Sequence, residues 1–176
     1  MNIKVTKSTL PADSLIQKYL PADYVDIFAA TAPENERLTP DNLLIALWTD
    51  FPKWLQWLFR LRAILVRPFG LKSGGGDDFL KQFPETIRSG GNYGFVDVPA
   101  KNDNETVMQL SDKHLTAKLS VHIALITDNQ LKISINTVVH YRNLLGKVYF
   151  FIIRPFHKFI VKIIAKRGIK RLLNKK

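Results

Sequence analysis

Two stretches in the second half of the chain alternate between apolar and polar residues with a period of two, the pattern of half-buried β-strands. Residues 115–126 and 131–142 both follow it. Their odd-numbered positions are apolar apart from Thr137 and Tyr141, and their even-numbered positions are mostly polar and include His122 and His140. The alternation therefore predicts two long strands with one dry face and one face turned outward to water.

The link between these strands sets their register. Both dry faces must meet the same core, so the odd-numbered residues of one strand must lie opposite odd-numbered residues of the other, and the two residue numbers of each pair have an even sum. A three-residue loop at 128–130 satisfies this condition. It places Val121 opposite Thr137 and requires a left-handed backbone at Asn129 or Gln130.

Shorter patterns predict the remaining elements. Strands are expected at 24–30, 93–98 and 105–111. Thr39-Pro40-Asp41 combines an N-cap residue, a proline suited to the first helical position and an acid in the first turn, so a short helix begins there. A second helix restarts at Asp50-Phe51-Pro52 and runs to about residue 66.

The C-terminal segment predicts one long amphipathic helix. Its basic residues recur at helical spacing: Lys147, Arg154, Lys158, Lys162, Lys166 and Lys170. The opposite side is apolar: Val148, Ile152, Phe156, Ile160, Ile163 and Ile164. We expect this apolar side to cover the dry face of the sheet.

Together the elements predict an α+β helix-grip fold. A curved antiparallel sheet is wrapped on a long C-terminal helix, with two short helices after the first strand. Residues 1–22, broken by Pro11 and Pro21, form an irregular segment, and residues 23–176 form a single domain. The glycine-rich stretch 72–94 is predicted to be a flexible flap or lid.

Charge is concentrated at the C-terminal end of the chain. Residues 143–176 hold 10 of the 26 Lys and Arg residues and none of the 15 Asp and Glu residues, so 16 basic and 15 acidic residues remain in 1–142. The chain has no cysteine, which excludes disulfides and thiolate chemistry. Neither a signal peptide nor an uncharged apolar run of membrane-spanning length is visible, so we expect a cytoplasmic protein.

Seven segments resemble the family catalogued as domain of unknown function 2867. They are ADYVD (22–26), LFRLR (58–62), RPFGL (67–71), LSDKHL (110–115), TVVHY (137–141), LGKVYF (145–150) and PFH (155–157). The resemblance covers about residues 20 to 165 in order. It implies a place among START-like, Bet v-type helix-grip proteins and a cavity between the sheet and the long helix. It implies no reaction and no catalytic residues.

The leading functional hypothesis is that a small apolar molecule binds in that cavity. A cyclase-like or hydratase-like enzyme using the same cavity is the alternative. The hydroxyls of Thr137 and Tyr141 face inward and would orient a ligand, and His157 on the helix would join them. The full set of pocket candidates is Thr137, Tyr141, His157, Tyr149, Leu119, Val121 and Phe156.

Other partners are weighed from the charges and the histidines. The four histidines do not converge as a metal site requires, so we expect neither metal nor cofactor. The basic stripe lacks interleaved aromatic residues, so no specific nucleic acid is expected. An anionic membrane surface is a second candidate partner, reached through the basic end of the helix at Lys166, Arg167, Lys170 and Arg171.

Overall fold

The structure, a computed structural model, describes residues 3–57 and 77–174. Within these ranges one antiparallel sheet has seven strands: β1 Thr6–Lys7, β2 Tyr24–Pro33, β3 Asn92–Tyr93, β4 Val96–Lys101, β5 Glu105–Ser111, β6 Leu115–Thr127 and β7 Gln130–Tyr141. Their order across the sheet is β1-β2-β7-β6-β5-β4-β3. The sheet is curved and unclosed, and a long C-terminal helix lies against it, which confirms the predicted α+β helix-grip arrangement.

The described helices are α1 Pro40–Thr49, α2 Asp77–Ser89 and α3 Leu144–Asn174, with a 3-10 helix at Leu15–Tyr19. The predicted start of α1 is confirmed, because Thr39 Oγ1 accepts a hydrogen bond from the Asn42 amide at 3.2 Å. Residues 53–57 are helical, as expected for a second helix, and the rest of that prediction lies outside the described residues.

The predicted glycine-rich flap differs from the structure in its described part. Residues 77–89 form α2 instead, and Phe83 and Ile87 are buried in the main core. Phe79 stacks on Phe95 with ring centroids 5.4 Å apart, which ties α2 to the start of β4. Burial of these aromatic and aliphatic side chains outweighs the flexibility that the neighbouring glycines give to the backbone. Residues 72–76 lie outside the described ranges.

The β6–β7 hairpin has a different register from the predicted one. Thr127 pairs with Gln130 across a two-residue turn, and an irregularity between Leu125 and Thr127 shifts the pairing. Leu119 therefore lies opposite Thr137, two positions from the expected partner. Neither turn residue has a positive φ. The turn alone would pair odd-numbered with even-numbered residues, as in Thr127 with Gln130. The extra residue of the irregularity makes odd-numbered residues pair with each other again, so both apolar faces lie on the same side of the sheet.

The main core lies between the inner sheet face and the helices. Leu43 and Leu47 of α1 and Val161, Ala165 and Ile169 of α3 are all buried there. They meet inner-face residues of the sheet: Phe28, Met108, Val121, Ile123, Ile133 and Ile135.

The side of α3 that faces the sheet differs from the predicted one. Val148, Ile152 and Phe156 were expected to cover the sheet, but 49%, 60% and 56% of their surfaces are exposed. The side that packs holds seven buried residues: Gly146, Phe150, Val161, Ala165, Gly168, Ile169 and Leu172. Small residues recur on this side and let the helix approach closely, which hydrophobic periodicity does not register.

The outer sheet face is also covered, contrary to the expected water-facing surface. The 3-10 helix inserts Ile16, which is fully buried against Val107 and Val138. His122 is 3% exposed, with Nε2 3.2 Å from Asp13 Oδ2, and His140 is partly buried. The segment 1–22 was predicted to be irregular, yet it includes β1 and this helix and forms a lid over the polar strand positions.

Candidate functional site

A buried carboxylate lies on the inner face of the sheet, at the end nearest the start of α3. Asp26 is 2% exposed and pairs across the strands with Thr137, which in turn pairs with Leu119. The Tyr24 hydroxyl, two residues earlier on the same face of β2, donates a hydrogen bond to Asp26 Oδ2 at 2.7 Å. A carboxylate so deeply buried is costly unless it has partners, so this arrangement indicates a built polar site.

His157 of α3 lies above this carboxylate. Its ring centroid is 6.3 Å from that of Tyr24 and 6.2 Å from that of Phe150. Nε2 of His157 is buried and has no hydrogen-bond partner among residues 3–57 and 77–174. Burial lowers the pKa of this imidazole, the charge of Asp26 opposes that shift, and Lys158 adds to it. The imidazole is therefore neutral at pH 7.

Tyr24 is held as a protonated hydrogen-bond donor. Burial raises its pKa well above 10, the hydrogen bond to Asp26 and the charge of that carboxylate raise it further, and Arg154 opposes the shift. The Arg154 guanidinium lies 5.1 Å from the centre of the Tyr24 ring. Arg154 is thus positioned over the polar site by a cation–π contact.

The inner face beside this site is not sealed by the helix. Ala117, Leu119 and Tyr141 point inward from β6 and β7 yet stay partly exposed, as do Tyr149 and Ile153 of α3. Partly exposed side chains of the sheet and of α3 therefore lie next to the buried polar site.

Tyr141 is one of these partly exposed residues. Its ring centroid is 5.8 Å from that of Phe150. Burial raises the pKa of its hydroxyl, Asp23 adds to the shift and Arg154 opposes it. The hydroxyl is therefore also a donor at neutral pH.

Five of the seven predicted pocket residues come together in this region, and two do not. Thr137, Tyr141, His157, Tyr149 and Leu119 surround or approach the site. Val121 is fully buried in the main core, and Phe156 points away from the sheet. A separate open pocket of about 320 Å³ lies at the other edge of the sheet between Asn92 and Ser111, and none of the predicted residues lines it.

The chemistry available here is that of polar groups in an apolar setting. Tyr24 and Tyr141 can donate hydrogen bonds, neutral His157 can donate or accept, and Asp26 accepts through Oδ2. A neutral imidazole beside a carboxylate can also move a proton. Across residues 3–57 and 77–174, no three His, Asp or Glu side chains lie together as a metal site would need.

The roles of Tyr24, Asp26 and Arg154 were not predicted from the sequence. The signal was present in β2, where Asp26 is the one charged residue and occupies an inward position between Tyr24 and Phe28. Arg154 was assigned to the basic side of the helix, and its contact with the Tyr24 ring depends on the tertiary packing.

The basic residues near the end of α3 have different environments. Asp50 forms ion pairs with Arg167 at 3.2 Å and with Arg171 at 3.3 Å, which join α3 to the end of α1. Lys166 is exposed and Lys170 is partly exposed. Two of the four residues proposed for an anionic surface are therefore engaged within the protein.

Most of the chain matches the model of one known family. Residues 19–164 match the model described as protein of unknown function (DUF2867). The chain belongs to this family. The DUF2867 match includes Tyr24, Asp26, Thr137 and His157 and ends before Lys166. No curated protein and no solved structure matches the chain. Within residues 3–57 and 77–174, no helix combines the length and the apolar character needed to cross a membrane.

Proposed function

We propose that the partly exposed region between the inner sheet face and α3 forms a groove that binds a small, mostly apolar molecule, with a polar group of the molecule held at His157. The observation that carries the proposal is the buried Nε2 of His157, which has no hydrogen-bond partner in the part of the chain that the structure describes. A buried polar atom without a hydrogen bond costs about 1–3 kcal/mol. A ligand that supplies the missing bond recovers this energy.

The surroundings define the chemistry of the ligand. Leu119, Ala117 and Ile153 offer apolar contacts in this region, and Phe150 is buried with its ring centroid 4.8 Å from that of Tyr24. A neutral imidazole nitrogen is either a donor or an acceptor according to its tautomer. A hydroxyl group fits both cases because it donates and accepts, so an apolar molecule with one hydroxyl is the best match.

Placement of the DUF2867 family among START-like, Bet v-type proteins is part of this proposal. The order of elements supports it, since two helical segments follow β2 and the sheet ends in a long C-terminal helix. The alternative is a cyclase or hydratase reaction in the same groove, supported by neutral His157 beside Asp26. Tyr141→Phe and Thr137→Val separate the two: a carrier loses modest affinity, and an enzyme loses most of its turnover.

The direct test is native mass spectrometry of the protein purified from its own host. We expect a retained small molecule on the wild-type chain and its loss from His157→Phe. Phenylalanine keeps the ring contacts with Tyr24 and Phe150 but removes both ring nitrogens. His140→Phe is the matched control, because His140 lies on the opposite sheet face, with Nε2 3.1 Å from the Pro21 carbonyl oxygen.

The two variants give distinct outcomes. Ligand loss in His157→Phe with retention in His140→Phe supports binding at His157. Equal retention by both variants would place the molecule elsewhere, and a wild-type chain that carries nothing and binds no hydroxylated apolar probe would refute the proposal.

A further inference from the structure

The first half of α3 exposes apolar side chains that the core does not use. Between 49% and 74% of each of six side chains is exposed: Leu144, Val148, Phe151, Ile152, Phe156 and Phe159. Their spacing of three to four residues places them on one side of the helix. This exposed apolar face is contiguous over four helical turns, whereas soluble monomers rarely expose large contiguous apolar patches.

The polar residues of the same half lie away from this face. Arg154 contacts the Tyr24 ring, and His157 packs between Tyr24 and Phe150. Lys147 lies seven residues before Arg154 and Lys158 lies four residues after it, so both are on the same side of the helix as Arg154. No charged residue therefore interrupts the exposed apolar face.

The same side of α3 becomes cationic further along. Lys162, Lys166 and Lys170 follow Phe159 at spacings of three, four and four residues. Residues 144–174 contain eight Lys and Arg residues and no Asp or Glu. A surface that is apolar at one end and cationic at the other complements a layer that carries negative charge above an apolar interior.

Two tryptophans extend the apolar region next to the helix. Trp54 and Trp57 are 45% and 63% exposed, and the Trp54 ring centroid lies 6.3 Å from that of Phe159. Tryptophan is the side chain enriched where membrane and water meet, because its ring is amphipathic.

We propose that the exposed apolar face, with Trp54 and Trp57, docks on an anionic lipid bilayer, with α3 lying in the plane of the membrane interface. Lys166 and Lys170 meet the lipid head groups, whereas the Lys162 amine lies 5.3 Å from the centre of the Phe28 ring. Interfacial binding of this kind combines burial of an apolar helix face with attraction of Lys and Arg to anionic lipid. A second copy of the chain fits less well, because two such faces would bring like charges together.

This inference moves the membrane contact from the C-terminal end of α3 to its first half. It stands independently of ligand binding at His157. Together the two proposals describe a protein that collects or delivers an apolar molecule at a membrane surface, since Phe156 and Ile153 lie on neighbouring positions around the same helix.

The test is co-sedimentation of the full chain with vesicles of phosphatidylcholine alone or mixed equally with phosphatidylglycerol. We expect pelleting with the mixed vesicles, weakened by added salt because the attraction is screened. Phe151→Gln with Phe159→Gln should weaken partitioning by about tenfold or more, since each aromatic ring loses its burial in lipid. Leu80→Gln with Leu125→Gln is the matched control, removing two exposed apolar residues of α2 and β6.

Tryptophan emission gives a second measurement. The chain has three tryptophans, and Trp54 and Trp57 should shift to shorter wavelength with the mixed vesicles. The proposal is overturned if the wild-type chain ignores anionic vesicles, or if the Phe151/Phe159 variant binds them as well as the control does. A self-association abolished by Phe151→Gln and Phe159→Gln without vesicle binding would assign the face to a second copy.

Discussion

Glu105 and Ser14 are joined by a hydrogen bond of 2.8 Å although 91 positions separate them in the chain. Glu105 is fully buried on the outer sheet face and also accepts a hydrogen bond from the Leu15 amide at the start of the 3-10 helix. One carboxylate therefore holds the N-terminal segment on the sheet.

Replacing this carboxylate should loosen the segment. Glu105→Ala leaves the Ser14 hydroxyl and the Leu15 amide without their acceptor, so we expect a loss of about 1–3 kcal/mol in the free energy of unfolding. Glu105→Gln keeps one acceptor oxygen and should lose less. Urea unfolding measures both, and equal stability of Glu105→Ala and wild type would show that the segment is held by its apolar contacts alone.

The start of α3 is fixed by a close approach that only glycine permits. A Cβ atom on Gly146 would lie 2.1 Å from the His114 carbonyl oxygen. Gly146→Ala must displace backbone, and we expect it to lower the free energy of unfolding by about 1–3 kcal/mol.

Gly168 in the same helix is the matched control for that substitution. A Cβ there would lie 3.1 Å from the end of the Leu43 side chain, with Leu47 Cδ2 and Ala46 Cβ at ordinary contact distances of 3.5 and 3.6 Å. Alanine is favoured over glycine in a helix by about 1 kcal/mol, so Gly168→Ala should stay within about 1 kcal/mol of wild type. Similar losses at both positions would contradict the proposed role of the His114 contact.

Asp50 should stabilise the end of α3 in a pH-dependent way. Burial raises its pKa, but hydrogen bonds and ion pairs with Arg167 and Arg171 outweigh this effect and hold the pKa below 3.8. The stabilisation is therefore present above about pH 3.8 and is lost as the pH falls through the lower folded-state pKa. Asp50→Asn should cost about 1 kcal/mol at neutral pH.

Urea unfolding of Asp50→Asn at neutral pH and in acid measures this effect. The difference from wild type should shrink in acid, and Asp103→Asn in an exposed turn should change neither value. A difference that does not depend on pH would show that the substitution acts through packing.

His157 should also make stability fall as the pH falls, but in a higher pH range than Asp50. Its folded-state pKa lies below 6.5, so the unfolded chain gains a proton as the pH falls past 6.5 while the folded protein does not. The free energy of unfolding therefore decreases as the pH falls from 6.5 to the folded-state pKa of His157.

The variant His157→Phe removes this dependence. As the pH is lowered from about 7.5 to about 5.5, its free energy of unfolding relative to that of wild type should rise by up to about 1.4 kcal/mol. Unfolding curves at the two pH values test this, and a constant difference would mean that His157 titrates alike in both states.

The parts of the fold that follow from local pattern were predicted correctly. The alternation in β6 and β7 identifies their inner faces, and the Thr39-Pro40 pair identifies the start of α1. The phase of α3 was wrong because its first half is apolar on nearly every side, so hydrophobicity does not choose between Val148 and Phe150. Contact is set by the small residues Gly146 and Gly168.

The site was predicted in part for a related reason. Thr137 and Tyr141 follow from alternation, and their neighbours across the sheet follow from register. Asp26 was missed because its burial depends on Tyr24 and on α3, far away in the chain. Lys118 was expected in water, yet its amine lies 4.4 Å from the centre of the Tyr19 ring, and burial, aided by Arg142, lowers its pKa.

The two faces of the sheet are closed by opposite regions of the chain. Ile16 seals the outer face, and Ile169 and Leu172 complete the core on the inner face. During synthesis all seven strands therefore emerge before α3, which completes the cover of their inner side. The nascent sheet has only the cover of the earlier helices until residue 172 has left the ribosome, so completion of the core waits for the synthesis of α3.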